Sequence, residues 1–213
     1  MTLRHIDVKL IQLKNINKWS KEALIRECLD NNEKAQRHLF ESHQGKLFAV
    51  CMRYLDTEYE AFDVLNESFL KIFKKLKNLE DVSNLEAWMR RIVVNTALDQ
   101  LRKNKSYKSV IVNTESISRF ENPEDTSDDI SDWWESAIRI PQKQLFMEIN
   151  KLPKASRLVF NLYAIDGIKH KEIAIQLSIS ESTSRWHLLN AREILKTRLK
   201  DIINNQLVNE KLK

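Results

Sequence analysis

Only two of the 213 residues are glycine, Gly45 and Gly167, and this scarcity limits what the chain can fold into. Phosphate-binding loops and dinucleotide fingerprints need several glycines, because their backbone amides must approach the phosphates closely. Tight β-hairpin turns also depend on glycine, which tolerates positive φ angles. Proline is nearly as rare, at positions 123, 141 and 153. The sequence therefore predicts an all-α protein without a glycine-rich nucleotide site.

The composition is typical of a globular protein. Hydrophobic residues make up 42% of the chain and charged residues 31%, which argues against both disordered and membrane-embedded classes. The length allows one large domain or two small ones. No stretch reaches the roughly 18 apolar residues of a membrane span, and residues 1–19 lack the apolar segment of a signal peptide. We therefore expect a cytoplasmic location.

The charge pattern divides the chain into segments. Residues 88–108 hold six Lys and Arg against one Asp, whereas residues 115–136 hold eight Asp and Glu against one Arg. From residue 146 onward the chain is basic again, with twelve Lys and Arg against seven Asp and Glu. A polar, acidic stretch between two basic ones is typical of a linker. We predict an N-terminal extension (1–21), a helical domain (22–105), a flexible acidic linker (106–142), a second helical domain (143–202) and a polar, fraying tail (203–213).

The first domain shows helical periodicity over residues 46–55 and 60–79 and again from near Leu85. In residues 60–79 the apolar stripe consists of Leu65, Phe69, Ile72, Phe73, Leu76 and Leu79. Lysines at 71, 74, 75 and 77 populate the other side of this helix. In the third helix Met89, Val93, Ala97 and Leu101 recur every four residues, and a polar stripe with Trp88 lies beside them.

The second domain has the pattern of a helix-turn-helix. Leu152-Pro153 opens a helix that runs to about Tyr163, and Asp166-Gly167 forms a turn. A short helix is predicted from about His170 to Leu177, then a three-residue turn. The longer helix that follows places Leu188, Leu195, Leu199 and Ile202 inward. Such a pair, with a basic second helix, is typical of DNA-binding modules. Ser180 is the expected N-cap of this second helix.

No arrangement of residues indicates an enzyme. Asp56, Glu58, Glu60 and Asp63 could in principle hold a metal ion, but hard-cation sites usually gather carboxylates from separate elements. A solvated or protein-docking face explains this cluster better. The five histidines have no metal-ligand spacing, and Cys28 and Cys51 are predicted to be buried, reduced thiols. We therefore predict no catalytic residue, no metal, no cofactor and no small-molecule substrate.

The start of the predicted second helix carries side chains that can read base edges. Arg pairs with guanine, Asn with adenine, and Trp or Leu can contact a thymine methyl group. The suitably placed residues are Ser182, Arg185, Trp186, Leu189 and Asn190. Lys and Arg elsewhere would neutralise phosphates without reading sequence.

Three motifs in order resemble the extracytoplasmic-function group of the sigma-70 family of bacterial RNA polymerase specificity subunits. The acidic run 56–62 followed by 63–70 (DVLNESFL) resembles the family's D-x-x-Q-E-x-F-L stretch. Residues 88–103 (WMRRIVVNTALDQLRK) resemble its W-L-x-R-I-A-x-N-x-A-x-D-x-x-R-R signature, and residues 152–199 resemble its C-terminal helix-turn-helix. The likeness covers residues 22–105 and 143–202. It implies a sigma-2-like helical bundle and a sigma-4-like helix-turn-helix domain.

The resemblance implies a role in transcription initiation from promoters of a stress- or signal-responsive regulon. Contacts to core RNA polymerase would come from Asp56, Glu60, Asp63, Asn66, Glu67 and Phe69. The −10 element would be opened and bound by Asp81, Ser83, Asn84, Trp88, Arg91, Asn95, Asp99, Arg102 and Lys103. The −35 element would be read by Ser182, Thr183, Arg185, Trp186, Leu189, Asn190 and Arg192. The acidic linker would thread the RNA-exit path, and an anti-sigma factor, often membrane-bound, would be a further partner.

The chain departs from the family pattern at several positions. Asn66 stands where Gln is usual, and Lys169 and Ser178 replace the usual N-cap and turn Gly of the helix-turn-helix. Trp186, His187 and Asn190 replace residues that are commonly Ser, Arg and Arg, so we expect a different −35 sequence. The main alternative is an autonomous helix-turn-helix regulator that binds duplex DNA without polymerase. A helical adaptor protein is the second alternative. Neither alternative explains the 88–103 helix.

Overall fold

The computed structural model describes residues 19–103 and 140–211. Within these two ranges the regular structure is entirely helical, with no β-strand, which confirms the predicted all-α class. The chain divides after Leu101 into two compact units, and each has its own hydrophobic core. Most of the predicted N-terminal extension and acidic linker lies outside the described residues.

Between residues 19 and 103, the first unit forms four α-helices. They are α1 (Lys21–Leu29), α2 (Glu33–Tyr54), α3 (Glu58–Lys75) and α4 (Leu85–Lys103). Two short 3-10 turns, Leu76–Asn78 and Val82–Asn84, connect α3 to α4. Each of the first three helices begins at a polar N-cap whose side chain accepts a hydrogen bond from the first turn. These caps are Ser20, Asn32 and Thr57.

The core of the first unit forms along the stripes that the sequence predicts. On α3, Leu65, Phe69 and Ile72 are buried and Phe73 is half-buried; in the turn that follows, Leu76 is buried and Leu79 is half-buried. On α4, the predicted Met89, Val93 and Ala97 are buried, together with Leu85, Val94, Thr96 and Leu98. Each large apolar side chain that leaves water contributes roughly 1.5–3 kcal/mol.

The two thiols belong to this core. Cys28 and Cys51 are free and buried, as predicted. Burial raises the pKa of the Cys28 thiol to about 11 and that of Cys51 to about 12, because the thiolate is poorly solvated there. Both side chains therefore remain neutral at physiological pH and act as small apolar groups.

In residues 140–211, the second unit forms another four α-helices. They are α5 (Gln142–Asn150), α6 (Lys154–Phe160), α7 (His170–Leu177) and α8 (Glu181–Lys211). The bounds of α7 agree with the prediction, whereas α6 ends early and widens into a π-helical turn over Asn161–Ile165. Gly167 adopts φ +70°, in the predicted turn. Helix α8 continues through the predicted polar tail to Lys211, because no Gly or Pro interrupts it.

The turn between α7 and α8 uses a serine in the left-handed region. Ser178 has φ 56° and ψ 45°, and the N–H of Ile179 donates to the Ala174 carbonyl at 3.0 Å. This closure is typical of a helix C-terminus that reverses through a left-handed residue. Ser180 then accepts a hydrogen bond from the Thr183 N–H at 3.0 Å, which confirms the predicted N-cap. The two helices are thus oriented as a helix-turn-helix.

Buried polar contacts hold α8 against its neighbours. Nδ1 of His170 lies 2.8 Å from Oγ of Ser184, and the His170 ring stacks on Tyr163 with centroids 4.3 Å apart. On the other side, a carboxylate oxygen of Glu148 lies 3.9 Å from the Arg198 guanidinium. Since buried polar groups need partners, these pairs favour one orientation of α8 in the domain.

Candidate nucleic-acid interfaces

A single carboxylate organises the loop before α4. Asp81 accepts hydrogen bonds from the Ser83 N–H at 2.8 Å, the Ser83 hydroxyl at 2.6 Å and the Asn84 amide at 2.9 Å. The hydrogen bonds from the Ser83 hydroxyl and N–H lower the pKa of Asp81, because they stabilise its charged form. All three side chains are exposed. Asp81 therefore shapes the loop. Because Asn84 uses its amide nitrogen on Asp81, its side-chain carbonyl oxygen can accept a hydrogen bond from a base.

The solvent side of α4 presents an aromatic, an amide and several cations. Trp88 is half-buried, while Arg91, Asn95, Arg102 and Lys103 are exposed. Tryptophan offers a surface for base stacking, asparagine can hydrogen-bond a base edge, and the basic groups attract phosphates. This row therefore has the chemistry needed to bind single-stranded nucleic acid.

Asp99 lies on the same helix but has a structural partner. Its carboxylate is 3.7 Å from Nζ of Lys71, which also lies 2.8 Å from Glu67 and 3.2 Å from the Thr96 hydroxyl. Lys71 thereby joins α3 to α4. A carboxylate would repel a phosphate, so we assign Asp99 a supporting role beneath the row rather than a contact to DNA.

The outer face of α3 combines apolar and acidic side chains. Tyr59, Phe62 and Leu70 are 76%, 51% and 72% exposed, and the exposed Asp63 and Asn66 lie between them. Large apolar residues on a helix whose other side already fills the core indicate a protein-docking surface. We call these five residues the α3 docking face.

The predicted polymerase contacts divide between this face and the core. Asp56, Asp63 and Asn66 are exposed and Glu67 is half-buried beside Lys71, whereas Glu60 belongs to the Thr57 cap. Phe69 is only 3% exposed and packs on Phe40 with ring centroids 4.5 Å apart. The assignment of Phe69 to the surface is therefore corrected, because its stripe faces the core. Sequence reasoning missed Tyr59, Phe62 and Leu70, which the hydrophobic pattern marks as lying off that stripe.

Helix α8 exposes a row near its N-terminus. Ser182, Arg185, Trp186 and Leu189 recur at steps of three and four and are all partly exposed. The Arg185 guanidinium lies 3.7 Å from Glu181, and the Ser182 hydroxyl lies 2.7 Å from that of Ser180. The side chains of this row can reach the edges of base pairs if the helix enters a major groove.

Two of the predicted base contacts turn inward, and a third is held by an aromatic ring. Thr183 is 2% exposed, and Asn190 donates a hydrogen bond to Oγ of Ser156 at 3.0 Å. Burial removes Thr183 from the proposed base-reading set, whereas Asn190 is half-buried and its predicted base contact stays a prediction. Arg192 sits over the Tyr163 ring, 6.0 Å from its centroid, and is half-buried.

The described residues bring together no group of three or more His, Cys, Asp or Glu side chains that could hold a metal ion. This includes the acidic cluster at the start of α3. In the same part of the chain, no helix has both the length and the hydropathy required to cross a membrane.

Two stretches of the sequence match known families, and they coincide with the two units. Residues 39–107 match Sigma-70 region 2, and residues 142–195 match Sigma-70, region 4. The chain is 25% identical over 188 residues to the ECF RNA polymerase sigma factor SigW of Bacillus subtilis, covering 84% of this chain and 96% of that protein. It is 26% identical over 184 residues to the ECF RNA polymerase sigma-E factor of Escherichia coli K12, covering 85% and 95%. The chain belongs to the extracytoplasmic-function group of the sigma-70 family.

The family resemblance predicted from three motifs is thereby confirmed. Among solved structures, this sigma factor is similar to RpoE of Bartonella quintana, solved with the anti-sigma factor NepR, at 18% identity and a TM-score of 0.43. That likeness covers 77% of this chain and 96% of RpoE. The region 2 match also argues against an autonomous regulator, because that alternative gives the first unit no role.

Proposed function

We propose that this sigma factor binds core RNA polymerase and directs it to promoters by contacting the −10 and −35 elements with separate units. The observation that supports this most is the presence of two unlike surfaces in one chain. The α4 row combines aromatic, amide and basic groups suited to single strands, whereas the α8 row suits a duplex groove. The protein then acts where polymerase and chromosome are, in the cytoplasm. It is not an enzyme itself, because polymerase forms the phosphodiester bonds.

At the −10 element, the Asp81–Asn84 loop and the α4 row hold the non-template strand. Removing a base from the stack costs a few kcal/mol. Stacking of that base on Trp88 and its hydrogen bonds with Asn84 and Asn95 offset this cost. Arg91, Arg102 and Lys103 hold the phosphates of the same strand. This arrangement favours the opened promoter over the closed duplex.

At the −35 element, α8 enters the major groove with its N-terminal turns. Arg185 has the fork geometry to pair with O6 and N7 of guanine, and Trp186 and Leu189 can pack against thymine methyl groups. The Glu181 carboxylate near Arg185 restrains the guanidinium before DNA arrives. On binding, the guanidinium exchanges this exposed pair for base contacts, at little cost because such pairs are weak.

The α3 docking face is the proposed contact to core polymerase. Its apolar side chains would be desolvated in the contact, and Asp63 and Asn66 between them, together with Asp56, would pair with polar groups of polymerase. Family membership also leads us to propose an anti-sigma factor that keeps the protein from polymerase. No small-molecule substrate or cofactor enters this scheme.

Two substitutions test the division of roles in reconstituted holoenzyme. Arg185→Ala should lower discrimination between cognate and scrambled −35 duplexes by about ten- to a hundredfold, the value of one bidentate base contact. Trp88→Ala should reduce strand opening, measured by permanganate reactivity of −10 thymines, more than it reduces duplex binding. Lys200→Ala, an exposed cation further along α8, is the matched control for Arg185. Unchanged −35 discrimination in Arg185→Ala would contradict the assignment of α8.

A further inference from the structure

A buried polar cluster links α8 to α6 directly beneath the base-reading row. Nδ1 of His187 lies 3.2 Å from Oγ of Ser156, and the Asn190 amide donates to the same oxygen at 3.0 Å. His187 and Ser156 are each 1% exposed, while Asn190 is half-buried. One hydroxyl on α6 therefore holds two side chains that are one turn apart on α8.

The hydrogen-bond count of this cluster shows that it is not simply filling space. The Ser156 oxygen has two lone pairs and one hydrogen, and Asn190 occupies one lone pair. Nδ1 of His187 forms a hydrogen bond with the Ser156 hydroxyl, but the buried Nε2 of the same ring has no hydrogen-bond partner among the described residues. An unpartnered buried polar atom is destabilising, so a leucine of similar volume would stabilise the domain better. The cluster thus favours a defined geometry at the expense of stability.

The position of the cluster connects it to DNA reading. His187 directly follows Trp186, and Asn190 directly follows Leu189. Since successive residues turn by about 100° around a helix, fixing His187 and Asn190 against α6 fixes the direction of Arg185, Trp186 and Leu189. Hydrogen bonds weaken as they bend, so two of them to one oxygen add an angular restraint on α8 to that of the apolar packing.

We propose that Ser156, His187 and Asn190 form a clamp that sets the rotation of α8 and thereby its discrimination between −35 sequences. In this role Asn190 and Ser156 are positioning residues, and neither touches a base. The inference deepens the proposed function and rests on it, because it takes α8 to be the −35 reader. It also explains why Asn190, whose sequence position suggests adenine recognition, instead turns toward the domain interior.

The test compares Ser156→Ala, Asn190→Ala and the double variant in full-length protein bound to core polymerase. Affinities are measured for the cognate −35 duplex, for each single-base-pair change and for a scrambled duplex. Each single variant should lose severalfold discrimination at several base pairs together, with affinity for the scrambled duplex and its salt dependence unchanged. The double variant should resemble either single one, because all three lose the same clamp. Glu193→Ala, at an exposed position of α8, is the control and should change nothing.

Three results would overturn the clamp. The first is a loss of discrimination at a single base pair in Asn190→Ala but none in Ser156→Ala, which would make Asn190 a base reader. The second is additive effects in the double variant, and the third is an equal loss of cognate and scrambled affinity. Circular dichroism at the assay temperature verifies that each variant is folded. Because Asn190 is only half-buried, Asn190→Ala is the variant least expected to disturb core packing. If Arg185→Ala also leaves −35 discrimination intact, the proposed role of α8 is wrong, and this result does not bear on the clamp. Urea unfolding then tests the clamp without DNA. The clamp predicts that the changes in unfolding free energy caused by Ser156→Ala and Asn190→Ala are not additive.

Discussion

Hydrogen bonds within the protein determine which polar side chains remain available to a partner. Ser83 and Asn84 both donate to Asp81, and Asn190 donates to Ser156, although sequence position alone assigns Ser83, Asn84 and Asn190 to DNA. Arg185 and Trp186 are also only partly exposed, whereas the side chain of Asn190 is held by its hydrogen bond to α6. Residue type thus limits the possible contacts, while the local hydrogen-bond network selects among them.

The loop before α4 gives the first prediction at this scale. Asp81→Ala removes the acceptor of three hydrogen bonds, so the loop should sample more conformations and bind a single-stranded −10 oligonucleotide severalfold more weakly in holoenzyme. Binding to the −35 duplex should not change. Glu80→Ala removes a neighbouring exposed negative charge without touching this network and serves as the control. Equal behaviour of the two variants would show that charge, and not loop geometry, matters.

The second prediction concerns pH and His187. Burial lowers the pKa of its imidazole from 6.5 to about 4 in the folded protein, so the unfolded chain binds more protons between these values. The second unit should therefore lose stability as the pH falls from 6.5 toward 4, by about 3 kcal/mol in total. Urea unfolding followed on α8 amide signals by NMR measures this loss. His187→Leu should flatten the dependence, and an unchanged slope in that variant would assign the effect to other groups.

Among whole elements, helix α3 faces two environments. Its inner stripe fills the core, while Tyr59, Phe62 and Leu70 stand on the outer α3 docking face. The hydrophobic period of α3 reveals the first stripe readily, because it is continuous over several turns. The second surface is harder to predict, since isolated exposed apolar residues are common in globular proteins. The coordinates show that these residues share a surface with Asp63 and Asn66.

This face leads to the third prediction. Leu70→Ala should weaken binding to core polymerase by about five- to thirtyfold, the range of 1–2 kcal/mol for an apolar anchor at an interface. Because Leu70 is already 72% exposed, thermal stability should change little. Lys74→Ala, at an exposed position one turn further along α3, should leave core affinity unchanged. Fluorescence anisotropy with labelled protein and purified core measures both, and a wild-type affinity in Leu70→Ala would remove this face from the contact.

The turn between α7 and α8 gives the fourth prediction. Ser178 adopts a left-handed conformation that costs a non-glycine residue roughly 1–2 kcal/mol, so Ser178→Gly should raise the stability of the second unit by up to about 1 kcal/mol after the entropy of glycine is counted. Ser178→Val should lower it, because a β-branched side chain fits this region least. Denaturant unfolding of the two variants compares them, and a stabilising valine would contradict the conformation described for this turn.

Helix positions were predictable because their signals are local, and the departures have tertiary causes. The bounds of α7 follow from its own hydrophobic period and from the turn residues on either side, and Ser180 was predictable as an N-cap from its neighbours. The π-helical turn after α6 depends on how the following segment closes, with the N–H of Ile168 donating to the Leu162 carbonyl at 2.9 Å. No local pattern signals that bond. Likewise, the inward direction of Asn190 depends on Ser156, which is 34 residues away in sequence.

At the scale of the whole molecule, the proposed function assigns one promoter element to each of two units with separate cores. Region 2 carries the α4 row and the α3 docking face, and region 4 carries the α8 row with its clamp. Neither unit alone accounts for promoter-specific initiation, because one surface suits opened strands and the other suits duplex DNA. The family and the division into helical domains were predictable from three ordered motifs. The binding surfaces could not be predicted from the sequence, because the directions of the side chains in the fold decide which residues form them.

Run-off transcription tests the central claim most directly. Purified core polymerase is incubated with genomic fragments, with and without this protein, and transcript starts are mapped. The account predicts that the protein binds core and produces new, specific start sites that share upstream −10 and −35 sequences. If the protein fails to bind core and no new start sites arise, while specific duplex binding remains, the chain would act as a DNA-binding regulator and not as a sigma factor.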